Sequence, residues 1–545
     1  MEVIGATWQV PQGPKNPRDI DWLVKALAKN RGLDSAKKLE EFLNPTLTTI
    51  TATKLTDLEK GVLRVKVALQ NKEKIVVYSD YDADGICATA ILWETLYDLG
   101  ADVMPYVPHR IKEGYGLAKE AIKKLVGEGV KLIITVDHGV TAVEQVETAK
   151  KLGVDVIITD HHLLPKILPK AYALVHTTSL CGAGVSWRFA WEIVGRLKPS
   201  YKNQLEEKLE LAAIATIADL VPLLDANRAI VKIGLEKLNN TKRPGILSLI
   251  SQSNINNQIS TYEIGHIIAP RINAMGRIEH GLDSLRLICA RNTQQAHNLA
   301  KLLAKTNSKR QDLTNSAITR ALDMVNRKHL VGVLHHETWH EGVIGLVASR
   351  LVEAHHKPMI VISKGEIYSK GSARSIPGFN IVDAIRASSE FLVDAGGHPM
   401  AAGFTIHTEH IEAFTAKINS YAAQKLTDDL LSPTITIECV LPKEEISFHT
   451  LEMIKTFEPY GVANPQPIFL TKKMLIEDIR TVGRESKHLK LTLDGNEAIW
   501  FNMGKAQAQL RPGYLVNAVY TLEENRYNGS TTVQMKVKDL EKSES

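Results

Sequence analysis

"KIVVYSDYDADGICATAILWETLYDLG", residues 74–100, is the stretch whose reading decides the fold. An apolar, β-branched run breaks abruptly into Asp80, Asp82 and Asp84, is closed by Gly85, and then gives way to an amphipathic helix pattern. The same order of strand, turn and helix recurs in "KLIITV" before "AVEQVETAKKLG", and "VDVIIT" leads into a loop. Strands that are apolar at consecutive positions are covered on both faces, and such strands alternating with helices form a parallel sheet. A doubly wound α/β domain is therefore expected over residues 61–240, ending at the turn chemistry of "NNTKRPG".

Outward from this domain, residues 1–60 read as an N-terminal segment and 241–328 as a helical linker, within which 284–328 reads as one long helix or a broken pair, without Gly or Pro. A second α/β unit is expected over 329–432, from "HLVGVLHH", "GVIGLVASRLVEAHH" and "PMIVIS". In 433–545 the stretches "HLKLTL", "LVNAVYTL" and "TTVQMKVKDL" alternate apolar and polar residues, as half-buried antiparallel strands do, and a small OB-like β-barrel is expected. Its basic residues Arg484, Lys487, Lys490 and Arg526, with Tyr527, suit a strand-binding module, although basic residues on strand edges are also ordinary solubilising devices.

With 66 basic and 61 acidic residues the charge is too balanced for a chain coated for nucleic acid, so any anionic partner must meet a local cluster. The N-terminal stretch has no leader-like pattern and no apolar run is long enough for a membrane span, so a cytoplasmic protein without membrane contact is expected. Cys87, Cys181, Cys289 and Cys439 are scattered without a C-x-x-C pair, which fits reduced, packed thiols.

The spacing D-x-D-x-D-G also opens a calcium-binding EF-hand loop, but position twelve of that loop would be Ile91, and a strand rather than a helix enters it. Two further strands end in the same chemistry, one at Asp137 and one at Asp160, His161 and His162. The carboxyl ends of neighbouring strands in a doubly wound sheet open into one crevice, so these groups should converge there. Like charges gathered so closely call for neutralising cations. Oxygen and imidazole donors without thiolate favour Mn²⁺ or Mg²⁺, with zinc possible, and a shared carboxylate suggests a pair of ions of the kind used on phosphate esters. Asp219, alone among aliphatic residues in "LAAIATIADLVPLLD", joins the same candidate set.

"DYDADG", "VDHG", "TDHH" and "ADLVPL", in this order, resemble the motifs of the DHH phosphoesterase superfamily, and "GGHPMAAG" (396–403) resembles the glycine-rich motif of its companion DHHA1 domain. "HRIKEGYGL" (109–117), "LCGAGVSWRFA" (180–190), "APRINAMGRI" (269–278), "HEGVIGLVASRL" (340–351), "GSARSIPGFNI" (371–381) and "YGVANPQPIF" (460–469) are similar to the single-stranded-DNA exonucleases of that superfamily. The resemblance implies Asp82, Asp84, Asp137, His161 and Asp219 as ligands of two divalent cations, with Asp80 and Asp160 as ligand or support, and His162 and His398 against the scissile phosphate. It implies substrate contacts from Arg110, Tyr115, Arg271, Asn273, Arg277, Ser372, Arg374, Gly396 and Gly397, the arginine and serine of "GSARS" anchoring a 5′-phosphate.

The implied activity is 5′→3′ degradation of single-stranded DNA to 5′-mononucleotides in repair and recombination, with a single-strand-binding protein and a helicase as partners. The alternative is a DHH phosphodiesterase for short oligonucleotides or cyclic dinucleotides. His138, where the superfamily commonly has Asn, is either an added phosphate contact or a neutral replacement.

Overall fold

The computed structural model describes residues 6–10, 21–110, 112–527 and 529–543. The chain forms two compact units, one of residues 35–310 with 458–465, the other of residues before 35 with 311–457 and those from 466 onward.

In the first unit the strands β1 (Lys74–Tyr78), β2 (Val103–Tyr106), β3 (Val130–Val136), β4 (Asp155–Asp160) and β5 (Ala173–His176) form a five-stranded sheet in the order β2-β1-β3-β4-β5. All its pairings are parallel. Successive side chains leave a strand on opposite faces. Ile75 and Val77 accordingly join one core with Leu132, Ile134 and Ile157, while Val76 and Tyr78 join the other with Ile133, Val156 and Ile158. This explains why the strands read as unbroken apolar runs.

Helices α1 (Ala83–Asp98), α2 (Lys119–Gly127) and α3 (Val143–Lys151) make the first three crossovers, whereas 161–172, between β4 and β5, contains no helix. Helices α4 (Gly182–Leu197), α5 (Leu209–Ala218) and α6 (Asp225–Asn239) follow, then α7 (Ala269–Ile278), α8 (Leu282–Ile288) and α9 (Thr293–Met324). Residues 284–328 are thus a broken pair. Part of the stretch expected as linker is integral to this unit, because Ile246, Leu285, Ile288, Ala300 and Leu303 put their apolar stripe into the core around α1 and α4. Phe42 of the N-terminal region packs here too, under Arg228, whose Nε donates to the Phe42 carbonyl at 2.6 Å.

A buried ionic knot fastens the helices. Glu94 of α1 receives Lys208 Nζ at 2.5 Å and Arg243 Nη2 at 2.8 Å, and Arg243 Nε reaches Glu210 of α5 at 2.5 Å. Burial alone would raise the Glu94 carboxyl, but the Arg243 and Lys208 cations override it and hold the group down at about 2.

The second unit contains β6 (Gly332–His336), β7 (Met359–Ser363), β8 (Tyr368–Arg374), β9 (Leu392–His398) and β10 (Ala401–His407), in the order β9-β10-β8-β7-β6. Only β6 and β7 pair in parallel. Helix α10 (Ile344–His355) packs on β7 and β8. The same unit holds a closed barrel of β11 (Phe469–Val482), β12 (His488–Leu493), β13 (Asn496–Trp500), β14 (Leu515–Tyr527) and β15 (Ser530–Lys542). Hydrogen bonding runs β11-β12-β13-β15-β14 and returns from β14 to β11, with β13 and β15 parallel. This is the strand order of an OB barrel. Two of its expected DNA-facing cations are already ion-paired, Lys490 with Glu497 and Arg526 with Glu524. The Tyr527 side chain lies outside the described residues.

Candidate metal centre

In the order 2-1-3-4-5 the sheet changes winding direction between β1 and β3, and ligands bind at the carboxyl ends of strands at such a switch point. The acidic stretch follows β1 and Asp137 follows β3, so chain direction alone delivers both to that crevice; β4 adds Asp160 and His161.

Asp82 is the N-cap of α1, its Oδ1 accepting from the Asp84 and Gly85 amides at 2.9 and 3.0 Å. Asp84 is buried, with its two oxygens accepting from the Gly182 and Ala183 amides at 2.7 and 2.6 Å, which are the first N–H groups of α4. Glycine is required at 182 because a Cβ there would lie 2.5 Å from Asp137 Oδ1. It is required at 85 because a Cβ would lie 2.6 Å from Asp80 Cβ. Asp137 itself turns the chain at φ +66°, and its Oδ1 is buried and accepts no hydrogen bond.

His161 Nε2 stands 3.1 Å from Asp137 Oδ1, 3.7 Å from Asp219 Oδ2 and 3.8 Å from Asp84 Oδ2. Three overlapping groups, Asp80-Asp82-Asp137, Asp84-His161-Asp219 and Asp137-His161-His162, each present ligand atoms within 4.8 Å of one another. All six expected metal ligands are therefore brought together, with Asp137 and His161 each in two of the groups.

Burial, followed by repulsion from Asp82, raises Asp80 well above the carboxylate range and lifts Asp84 to about 6. Asp137 is also raised, by burial and then by Asp84, and Asp219 reaches about 8 for the same two reasons. Asp160 behaves oppositely. Burial would raise it, but its hydrogen bond from His162 Nδ1 at 2.7 Å holds it below the ordinary range, and His162 is pushed up to about 8 in return. Asp160 also accepts from the Val140, His161 and His162 amides, so in this structure it supports the histidines.

An oxygen-rich, partly imidazole donor set with an orphaned buried carboxylate oxygen fits divalent cations. A group whose folded pKa is raised contributes stability that is fully present below its unfolded pKa and is lost as pH rises through the folded value. Without metal, the protein should therefore lose stability from about pH 4, the ordinary carboxylate value, through about 6 for Asp84 and about 8 for Asp219. Thermal melts in chelator and in Mn²⁺ should diverge more at pH 8 than at pH 5.5. Equal gaps at both pH values would contradict this charge balance.

Arg110 lies over the Tyr81 ring at 5.0 Å, and Tyr115 sets its hydroxyl 3.5 Å from the Asp137 carbonyl. Arg271 Nη1 donates to the Ile267 carbonyl at 2.8 Å. Arg277 lies on α7 with its charge acting on Tyr81. Asn273 Oδ1 accepts from the Ala83 amide at 2.6 Å and so pins the acidic turn. Gly276 lets the same helix approach, because a Cβ there would lie 2.5 Å from the Tyr81 carbonyl. His138 is 1% exposed, with Nε2 3.2 Å from the Tyr78 carbonyl, and burial pushes it down to about 4. Of the two readings open from the sequence, this favours the neutral replacement.

The remaining expected contacts belong to the second unit. There the register aligns Arg374, Ala401 and His398 across β8, β10 and β9, and likewise Ser372, Gly403 and Gly396, with Gly397 opposite Ala402. Gly345, in the first turn of α10, lies so close that a Cβ would be 2.9 Å from Ser372 Oγ and 3.0 Å from Arg374 Nη2. The backbone roles of Gly182, Ala183 and Gly345 were not read from the sequence; their one signal was a glycine just ahead of an apolar helical run.

A parallel sheet whose strand ends gather carboxylates and histidines in overlapping ligand groups defines a metal-dependent phosphoesterase of the DHH class, and the chain matches the DHH family N-terminal domain over residues 74–220 and the DHHA1 domain over 326–424. It also matches the RecJ OB domain over 437–539, and it belongs to the RecJ family. It is 35% identical to the single-stranded-DNA-specific exonuclease RecJ of Bacillus subtilis, over 96% of this chain and 68% of that protein, and 32% identical to that of Haemophilus influenzae, over 95% and 96%. The crystal structure of RecJ from Thermus thermophilus in complex with Mn²⁺ superposes with a TM-score of 0.87 at 30% identity, covering 99% of this chain and 80% of that one. The same protein has been solved with Mg²⁺.

Proposed function

We propose that this chain is a single-stranded-DNA-specific exonuclease that removes 5′-mononucleotides in the 5′→3′ direction, using two divalent cations, Mn²⁺ or Mg²⁺. The observation that carries the reading is the convergence of Asp80, Asp82, Asp84, Asp137, His161 and Asp219 at one switch point, in a chain that also has the RecJ-type barrel. Those residues would hold the cations, which when bound supply Lewis-acid stabilisation and a water of lowered pKa.

The chain's own groups do the rest. Asp160 fixes His162 by its side chain and accepts the backbone amide beside it, presenting an oriented imidazole toward the scissile phosphate. Gly182 and Ala183 hold Asp84 in a single orientation. His398, with Gly396 and Gly397, is assigned to phosphate contact, and Arg110, Tyr115, Arg271, Asn273 and Arg277 to the strand.

Ser372 and Arg374, beside the first turn of α10, suit a terminal phosphate dianion, since helix N-termini and guanidinium groups both favour one. The test uses single strands with 5′-phosphate or 5′-hydroxyl ends and Mn²⁺. Wild type should prefer the phosphate, and Arg374→Ala should lose about ten- to a hundredfold of that preference, the worth of a charge-assisted contact. Equal rates on both strands, or products released from the 3′ end, would overturn the anchor and the polarity. A role in repair and recombination, a cytoplasmic location, and a single-strand-binding protein and a helicase as partners belong to the same proposal. Among the described residues no helix is long and apolar enough to cross a membrane.

A further inference from the structure

Helix α5 ends beside the metal centre in an unusual way. Asp219 is its C-cap at φ −84°, and the next residue, Leu220, takes the left-handed conformation at φ +57°. That position normally falls to glycine or asparagine, because a Cβ there crowds the following carbonyl. Leucine is strained at this place, and it gains no burial in return, since it is 70% exposed. Strain kept at a site that burial does not reward points to a function for the side chain.

A second exposed aliphatic residue follows a residue of the same centre. Leu163, 67% exposed, follows His162 directly, in the β4–β5 crossover that lacks a helix. His161 Nε2 is 3.7 Å from Asp219 Oδ2, so the two leucines follow, on two separate elements, residues of one charged centre, Leu220 next to Asp219 and Leu163 next to His162. A strand whose phosphodiester enters that centre must place the attached sugar and base against whatever borders it. A leucine makes no hydrogen bond and so reads no sequence, but it can pack on the free outer face of a terminal base.

We infer that Leu220, with Leu163, forms an apolar rim that packs on the base of the nucleotide held at the metal centre and so positions it. This rests on the exonuclease reading above. The test compares ordinary single strands with strands carrying a 5′-terminal run of abasic nucleotides, under Mn²⁺, using Leu220→Asn and Leu220→Gly, which both tolerate the left-handed backbone, and Leu220→Met, which keeps an apolar side chain. Burial of a leucine is worth about tenfold or more, so kcat/KM on ordinary strands should fall about tenfold for the Asn and Gly variants and stay near wild type for Met. On abasic strands wild type and all three variants should agree within about twofold, there being no base face to lose. Equal losses on both kinds of strand would make Leu220 merely structural and overturn the inference, as would no loss on either. A wild type that degrades neither strand would instead defeat the exonuclease reading, and this inference with it.

Discussion

Asp137→Asn should cut mononucleotide release by about a thousandfold or more, and it should make the metal-free protein more resistant to heat. The side chain keeps its shape, so the positive-φ turn and the close approach of Gly182 are retained. What goes is the negative charge on a buried oxygen that accepts no hydrogen bond and stands 3.1 Å from His161. Asp137 belongs to two of the three ligand groups, so weakening it weakens both cation positions. Several kcal/mol of charge stabilisation depend on cations held there, and each 1.36 kcal/mol is a factor of ten in rate.

The stability change runs the other way. Burial and then Asp84 raise the Asp137 carboxyl, so near neutral pH its ionisation opposes folding, and an amide removes that burden. Activity on a labelled single strand in Mn²⁺ and a thermal melt in chelator check the two halves. Retention of a tenth of the activity, or a lower melting temperature than wild type in chelator, would refute this account.

Glu94→Gln should destabilise the first unit by about 3–5 kcal/mol, since it leaves Lys208 buried without its counter-ion and takes from Arg243 one of its two carboxylates. The side chains of Lys208 and Glu94 are only 5% and 10% exposed, so water screens their pair little. For a unit of this size the loss should lower the melting temperature by roughly 6–15 °C. Replacing all four members of the knot together, as Glu94→Leu, Lys208→Met, Arg243→Leu and Glu210→Leu, should recover most of it, because well-packed apolar groups match a buried ion pair in stability and no charge is then left without a partner. A single variant that melts within about a degree of wild type would show that the knot does not hold α1 to its neighbours.

The parallel sheet was legible because it needs only local information. Val76 and Val77 face opposite cores, so both must be apolar, and the acidic turn that follows β1 lands at the strand's carboxyl end whatever the rest of the chain does. The candidate metal ligands were legible for the same reason, each lying at the end of a strand or helix that its own stretch specifies. The barrel announced itself by its period of two, while its closing pair of β11 with β14 rests on contacts between distant stretches.

What the sequence by itself determined is therefore the class of each element and the chemistry at its end, because both follow from hydrophobic period and from which residue interrupts it. Tertiary structure decided which separate motifs meet. Asn273 reaches the acidic turn with its carbonyl oxygen on the Ala83 amide, and His138, beside Asp137, is enclosed in the core. Ser372, Arg374 and His398 form one patch only through the register of three strands, and Gly182 is needed only because Asp137 approaches it from a different strand end. Close approach and register join residues far apart in the chain, and no local pattern encodes the distance between them.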